Sequence, residues 1–242
     1  MFESVWRINV NDKTVQKFLN FKINKYEPSK AKSFEFYQLE MFWTNAPNEG
    51  EWLVMKLQAV IGTASGIRNL EMTYLLKTDL EIKVNPYDEE KKKYIFLNIR
   101  KDLKGNKTKK AATYRISNRK YGGFDFVAGF EKYLELIKNF KTKRLWVNYR
   151  EKTKRFIDQP MGENNVRETP KNIAVYCEFP NPEQYKGHSW RRTLGTLLAE
   201  AGASLSTMMT HARWKGVKTA QGYIDSSSRN QLKVAGMIFP GV

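Results

Sequence analysis

The segment 187–192 combines an imidazole and guanidinium groups at a spacing that can act on a phosphate. His188 lies three positions before Arg191, so the two side chains share one face if a helix begins here. An arginine fork grips two phosphate oxygens, and a neighbouring imidazole can take up or release a proton near neutral pH. The alternative is an ordinary basic helix start beside an aromatic residue.

A second segment ends in a tyrosine. His211 lies three positions before Trp214, and Tyr223 follows Trp214 by nine. A tyrosine can attack phosphorus and form a covalent phosphotyrosyl intermediate when its neighbours stabilise the developing charge. The indole N–H of Trp214 can donate to a phosphate oxygen. The alternative is that Trp214 and Tyr223 are core aromatics, which is the commoner fate of such residues.

Two further segments carry charge. Arg68 lies among apolar residues, where a cation needs a partner, and Glu71 is three residues away on the same helical face. The alternative is a helical ion pair of small energetic value. Residues 101–110 hold five lysines in a turn-rich loop between predicted strands 94–100 and 112–116. They predict a hairpin with a basic tip, or else a merely solvated turn.

The elements that must position these residues are mostly helical. Apolar periodicity predicts helices from residue 34 to about 45, over 67–76, over 126–140 and over 193–201, and residues 52–61 are a further apolar stretch. Ser204 is the predicted N-cap of the next helix, and residues 219–224 form one more helical turn. Residues 144–158 indicate a strand and turn, and residues 162–171 a polar loop. The predicted class is α+β, mainly α-helical, with a small antiparallel sheet on one edge.

Composition restricts the partners. The 242 residues carry 42 Lys+Arg against 25 Asp+Glu, a formal charge of +17, which favours a polyanion such as nucleic acid. Cys177 is the only cysteine, so an internal disulfide is excluded and a reducing compartment is favoured. No apolar run approaches the roughly 20 residues of a membrane span. The sequence has neither a Gly-rich phosphate loop nor a His/Cys metal cluster.

The order of these segments resembles the active site of the tyrosine recombinase (phage integrase) family. That pattern is carried by Gly66-Ile-Arg68-Asn-Leu-Glu71, Lys107 within Gly-Asn-Lys-Thr-Lys, His188-Ser-Trp-Arg191, Trp214 and Tyr223. The resemblance spans residues 33 to 226. Within the family, segments 179–193, 197–203 and 214–224 are most similar to recombinases of eukaryotic mobile elements, the DIRS-type retrotransposons and Crypton-type DNA transposons.

The resemblance implies cleavage and rejoining of DNA. Arg68 and Arg191 would hold the scissile phosphate while Tyr223 attacks, giving a 3′-phosphotyrosyl link and a free 5′-hydroxyl. A hairpin lysine would be the general acid, with Lys107 the first choice and Lys104 the second.

The remaining site residues receive supporting roles from the same resemblance. His188 would help to take the tyrosine proton, and Trp214 would pack and donate its N–H. Glu71 would support Arg68, whereas His211 would only cap or contact the backbone. These relatives usually carry Gly-Gly where this chain has Ala212-Arg213, so the larger side chains are expected to crowd the phosphate.

The resemblance also implies an organisation and partners. Residues 1–33 would be a basic lead-in that is a remnant of a DNA-clamping domain. Residues 34–226 would form the catalytic domain, and residues 227–242 would form an apolar tail. The tail would be exchanged between protomers, or else fold back on its own core. The partner would be double-stranded DNA bound by a homotetramer, with a monomer as the free form, and with no cofactor, metal or membrane.

Three other functions compete with this one. A domesticated DNA-binding protein could keep the fold without catalysis, and a type IB topoisomerase would share the chemistry. An RNA-binding scaffold would need stacking aromatics on a sheet, a motif that the sequence lacks. The expected location is the nucleus if the host is eukaryotic, and otherwise the cytoplasm.

Overall fold

The computed structural model describes residues 31–104 and 110–238. Lys107 and residues 1–30 lie outside the described residues, so the predicted lead-in is described only from Ala31. The main-chain N–H of Phe34 donates to the Thr193 hydroxyl at 2.9 Å, and that of Lys32 donates to the Gln184 carbonyl at 2.9 Å. The start of the described chain is thereby joined to the segment that carries the predicted His-x-x-Arg motif.

The described residues form nine α-helices and seven β-strands, among which the helices dominate. The helices are α1 Phe36–Asn45, α2 Gly50–Ser65, α3 Asn69–Thr73, α4 Phe126–Leu136, α5 Glu163–Tyr176, α6 Ser189–Glu200, α7 Leu205–His211, α8 Val217–Ser226 and α9 Ser228–Ile238. The strands are β1 Leu80–Val84, β2 Lys93–Ile99, β3 Ala112–Ser117, β4 Lys120–Tyr121, β5 Phe124–Asp125, β6 Val147–Arg150 and β7 Arg155–Pro160. The predicted α+β class with mainly helical structure is confirmed.

Helix α2 lies at the centre of the core because it is apolar on most of its faces. Its buried residues include Leu53, Leu57 and Ile61. The helix ends at Gly66, whose φ of +55° is the left-handed conformation that terminates many helices. This ending turns the chain sharply into the segment that carries Arg68.

The predicted hairpin of β2 and β3 is present, with Leu97 opposite Tyr114. Strand β1 joins it to make a three-stranded antiparallel sheet, and β4–β5 and β6–β7 form two smaller sheets. Side chains alternate along β2, with Ile95, Leu97 and Ile99 buried in the core. That alternation gives the hairpin one face on the helical core.

Four predicted elements differ from the observed ones. The loop predicted at 162–171 is wrong, because these residues belong to α5, which buries Val166 and Ile173 and contains Pro170. The predicted helix at 67–76 is reduced to the five residues of α3, and the helix predicted over 126–140 ends at Leu136. Conversely, the single turn predicted at 219–224 is a ten-residue helix.

The C-terminal helices form a smaller hydrophobic cluster around Ala199, Met208 and Ala220. Ser204 is the N-cap of α7, as predicted, since its hydroxyl accepts the Thr207 N–H at 3.1 Å. Helix α9 contains no buried residue, and its Leu232 side chain is 73% exposed. Among the described residues, none of the helices is both long and apolar enough to cross a bilayer.

Candidate active site

Arg68 and Glu71 form the first part of the site. Arg68 is the N-cap residue of α3, and its Nη1 lies 3.0 Å from Oε1 of Glu71. The Glu71 carboxylate is fully buried, and its Oε2 also accepts the Arg68 main-chain N–H at 2.9 Å. The predicted pair is present, and Glu71 fixes both the backbone and the side chain of Arg68.

Arg191 reaches the same place from the first turn of α6. Its Nη1 donates to the Gly66 carbonyl at 3.2 Å, and its Nη2 donates to the Arg213 carbonyl at 3.3 Å. A Cβ atom at Gly66 would lie 2.7 Å from Leu194, so the glycine allows α6 to approach this closely. Burial, with Arg68 and Arg213 nearby, lowers the pKa of Arg191 to about 10, so the guanidinium stays charged at neutral pH.

Arg213, which the sequence reasoning treated only as an obstacle, is part of the site. Its Nη1 and Nη2 lie 2.9 and 2.7 Å from the two carboxylate oxygens of Glu71, a bidentate pair. Its side chain is 8% exposed. Burial alone would lower the pKa of Arg213, but the bonds to Glu71 raise it. Residues 71 and 213 are 142 positions apart, so spacing along the sequence gives no signal of their contact.

Trp214 and Tyr223 are stacked, with ring centroids 5.1 Å apart and planes 8° from parallel. Both rings pack against α6 at Gly195, where a Cβ atom would lie 2.8 Å from Trp214 and 2.9 Å from Tyr223. Burial raises the pKa of the Tyr223 phenol, an effect that Arg192 and Arg191 partly offset. Tyr223 is thus a protonated tyrosine at neutral pH that already lies within the field of two arginines.

The three arginines and Trp214 line a cavity of about 340 Å³, and Tyr223 lies next to it through its stacking on Trp214. Its lining includes Arg68, Arg191, Arg213, Trp214, Lys215, Gly216 and Thr219. Four cationic side chains therefore face one space, and only the buried Glu71 carboxylate bonds to any of their arginines among the described residues. The excess positive charge makes this space suited to an anion such as a phosphate group.

The two histidines have different environments. His188 is the exposed N-cap residue of α6, one residue after Gly187, which packs against Asn69 next to Arg68. His211 instead directs its Nε2 to the Ala64 carbonyl at 2.8 Å, a backbone contact of the kind predicted for it. His188 is therefore at the edge of the site, whereas His211 supports its wall.

None of the described hairpin lysines lines the arginine cavity. Lys104 is the second choice for the general acid, and its Nζ lies 2.5 Å from the Tyr74 hydroxyl and 3.1 Å from Oε1 of Glu163. The first choice, Lys107, lies outside the described residues. Lys110 lines a larger open groove of about 960 Å³, which also includes Tyr114 and shares Arg213 with the cavity.

The fold can be compared with known structures. It matches XerH site-specific recombinase bound to palindromic difH substrate, with a TM-score of 0.60 and 14% identity, covering 85% of this chain and 53% of that chain. It matches XerA recombinase with a TM-score of 0.59 and 13% identity over 90% and 67% of the two chains. The chain has the recombinase fold. It spans about half the length of the XerH protein.

A third solved structure with this fold is the Tn1549 transposon integrase in complex with transposon right end DNA. Its TM-score is 0.52 and its identity 13%, covering 90% of this chain and 68% of that chain. No protein-family model matches the sequence, and no curated protein does so either. At such low identities the likeness is one of fold, so the chemistry must be argued from the residues around the cavity.

Proposed function

We propose that this protein is a DNA recombinase that cleaves and rejoins strands through a covalent bond to Tyr223. The observation that carries the proposal is the convergence of three distant segments on one cavity: Arg68 before α3, Arg191 on α6, and Trp214 stacked on Tyr223 of α8. Phosphoryl transfer to a tyrosine requires guanidinium groups that hold the phosphate and a phenol close to them, and Tyr223 is held next to the arginine-lined cavity by its stacking on Trp214.

In the proposed reaction, Arg68 and Arg191 bind the non-bridging oxygens of one phosphodiester. The Tyr223 oxygen attacks phosphorus, so that a phenolic O–P bond forms and the bond from phosphorus to the 5′-oxygen breaks. The product is a 3′-phosphotyrosyl strand and a free 5′-hydroxyl. Attack by a 5′-hydroxyl on the same phosphorus reverses the step and rejoins DNA. Because the covalent link conserves the bond energy, rejoining needs no nucleotide.

Two protons move during this step. Since burial raises the pKa of Tyr223, its proton must be accepted as the bond to phosphorus forms, and we assign this role to His188. The 5′-oxygen must receive a proton, which we assign to Lys107. Lys104 would first have to leave the Glu163 carboxylate and the Tyr74 hydroxyl. Trp214 would donate its indole N–H to the phosphate.

We extend the proposal to origin and assembly. The resemblance of segments 179–224 to DIRS-type and Crypton-type recombinases supports a mobile-element origin, and with it a nuclear location in a eukaryotic host or a cytoplasmic one otherwise. The working form would be a homotetramer on double-stranded DNA. The exposed Leu232, Met237 and Ile238 of α9 support exchange of this helix between protomers.

A second candidate function is DNA binding without cleavage. It is favoured by the resting state of Tyr223, whose ring lies flat on Trp214 and whose pKa is raised by burial. A protein of this kind would keep the arginine-lined cavity as a phosphate-binding site and use the tyrosine only for packing. The two functions predict different products on the same DNA.

The first experiment therefore uses nicked "suicide" duplexes, from which a cleaved end diffuses away and traps the covalent complex. Random-sequence pools replace the unknown target, and Tyr223→Phe is the matched control because it removes one oxygen atom. A denaturation-resistant protein–DNA band that is absent in the variant supports cleavage. If every pool gives salt-sensitive binding and no such band, the protein is a binding protein and the cleavage proposal is rejected.

A further inference from the structure

The contacts of Arg213 are unusual for a residue in a connection between helices. It lies between α7 and α8 with φ of +54°, a left-handed conformation that side-chain-bearing residues seldom adopt. Such a conformation persists only where the surrounding structure holds it in place. The bidentate pair with the buried Glu71 carboxylate supplies that hold. The side chain therefore fixes its own backbone.

Arg213 is connected to each of the two arginines assigned to the phosphate, by a different group in each case. Its guanidinium shares Oε1 of Glu71 with Nη1 of Arg68, at 2.9 and 3.0 Å. Its main-chain carbonyl accepts Nη2 of Arg191 at 3.3 Å. A change in the position of Arg213 would therefore be transmitted to both sides of the cavity.

The charges of Glu71 and the three arginines also favour a positioning role for Arg213. Glu71 is fully buried, and it bonds two guanidinium groups, so neither oxygen is left without a cationic partner. The three arginines against one carboxylate leave two excess positive charges, to which Lys215 adds a third at the cavity, and this excess suits the negative charge that builds up on a five-coordinate phosphorus intermediate. Both terminal nitrogens of Arg213 are engaged with Glu71, whereas Arg191 donates only to neutral carbonyls.

We propose that Arg213 is a positioning residue that sets the separation of Arg68 and Arg191 through Glu71 and through its own main-chain carbonyl. This inference rests on the proposed strand-cleaving function. It assigns Arg213 no bond to the phosphate itself. The alternative, in which Arg213 leaves Glu71 and binds the phosphate as a third ligand, predicts a different response to mutation.

The test compares Arg213→Gly with the wild type in three measurements. Glycine tolerates the positive φ and removes only the side chain. We expect the rate of covalent complex formation on the suicide duplex to fall roughly 10- to 100-fold, because small displacements of positioned groups have effects of this size. The DNA dissociation constant should change by no more than about twofold. Solvent exchange of the Arg68 and Arg191 side-chain N–H groups, followed by ¹⁵N NMR, should accelerate about tenfold.

A double-mutant cycle identifies the route. If Arg213 acts on Arg68 through Glu71, Arg213→Gly combined with Glu71→Gln should be little worse than the more impaired single variant. Arg213→Lys keeps the charge but cannot form the bidentate pair, so we expect partial recovery of the rate. This variant also replaces Arg213→Gly if the glycine protein does not fold. Arg155→Ala, at an exposed site on β7, is the control for loss of one positive charge.

Several outcomes would overturn the inference. Weaker DNA binding in proportion to the slower cleavage, with unchanged N–H exchange, would make Arg213 a phosphate ligand. Wild-type behaviour in all measurements would make it a bystander. If the wild type forms no covalent complex, the cleavage proposal fails instead, and the exchange of the Arg68 and Arg191 N–H groups still decides whether Arg213 positions them.

Discussion

Replacing Gly195 by alanine should displace the proposed nucleophile without removing any chemical group. Gly195 lies on α6 directly beneath the stacked rings, and an added Cβ would lie 2.8 Å from Trp214 and 2.9 Å from Tyr223. Non-bonded carbon atoms prefer separations of about 3.5–4.0 Å, so the rings must move away by roughly 0.6–1.2 Å. Because the two rings are stacked on each other, the added methyl group must displace them together.

The expected consequence is loss of rate rather than loss of fold. A displacement of about 1 Å at a reacting group can lower a rate by about 100-fold, so we expect Gly195→Ala to slow covalent complex formation by roughly 10- to 100-fold. Alanine is favoured over glycine in a helix by about 1 kcal/mol, which offsets part of the overpacking cost of about 1–3 kcal/mol. The free energy of unfolding should therefore fall by no more than about 2 kcal/mol.

The matched control is Gly222→Ala on α8. It makes the same substitution in the helix of the nucleophile, but its Cβ would meet nothing within 4 Å. We expect this variant to cleave at the wild-type rate and to be more stable by about 1 kcal/mol. Single-turnover cleavage, DNA affinity and thermal unfolding are measured on all three proteins. A wild-type cleavage rate for Gly195→Ala would refute the reasoning that displacing the stacked Tyr223 ring slows its attack on phosphorus.

Two further predictions concern the scaffold. Lys56 is fully buried, and its ammonium group donates to two main-chain carbonyls and one side-chain amide oxygen at 2.5–2.7 Å. Lys56→Met leaves these acceptors without a donor and should lower the free energy of unfolding by about 2 kcal/mol or more, measured by denaturant titration. The control Lys132→Met, at an exposed position, should change the free energy of unfolding little. Burial raises the pKa of the Tyr133 phenol well above its ordinary value. The folded state therefore holds this proton longer than the unfolded state, and stability present below pH 10 is lost above it by up to about 1.4 kcal/mol per pH unit. Tyr133→Phe should flatten that alkaline slope, and an unchanged slope would show that Tyr133 does not cause it.

Local features were predictable from the sequence where local physics determines them. The β2–β3 hairpin follows from apolar alternation on either side of a turn-rich loop, and the start of α7 from the hydroxyl of Ser204. Strand β1 was missed because its five residues include Glu81 and Lys83, a pattern that a polar loop would also show. It is a strand because it pairs with β2, a contact that only the folded chain provides.

The prediction of a loop where α5 lies was wrong for a related reason. Its first turns are polar and Pro170 lies within it, so both composition and a helix-breaking residue favoured a loop. Val166 and Ile173, seven positions apart, nevertheless lie on one face and are buried in the core. Burial of that face outweighs the weak intrinsic preference, as tertiary contacts commonly do.

The candidate site shows the same division between local and distant information. Arg68 and Glu71 are three residues apart, and their pairing could be anticipated from that spacing. Arg213 could not be interpreted in this way, since a side chain after Ala212 gives no sign of which carboxylate it will contact.

The role of Arg213 follows from the electrostatics of the assembled cavity. Bringing Arg68, Arg191 and Arg213 together around one small space is unfavourable unless the fold also places an anion among them. The buried Glu71 is that anion for two of them. In the described part of the chain, Arg191 bonds to carbonyls and to no carboxylate, and burial, together with the nearby charges of Arg68 and Arg213, lowers its pKa. Of the three guanidinium groups, Arg191 is therefore the one whose charge an incoming phosphate would compensate most.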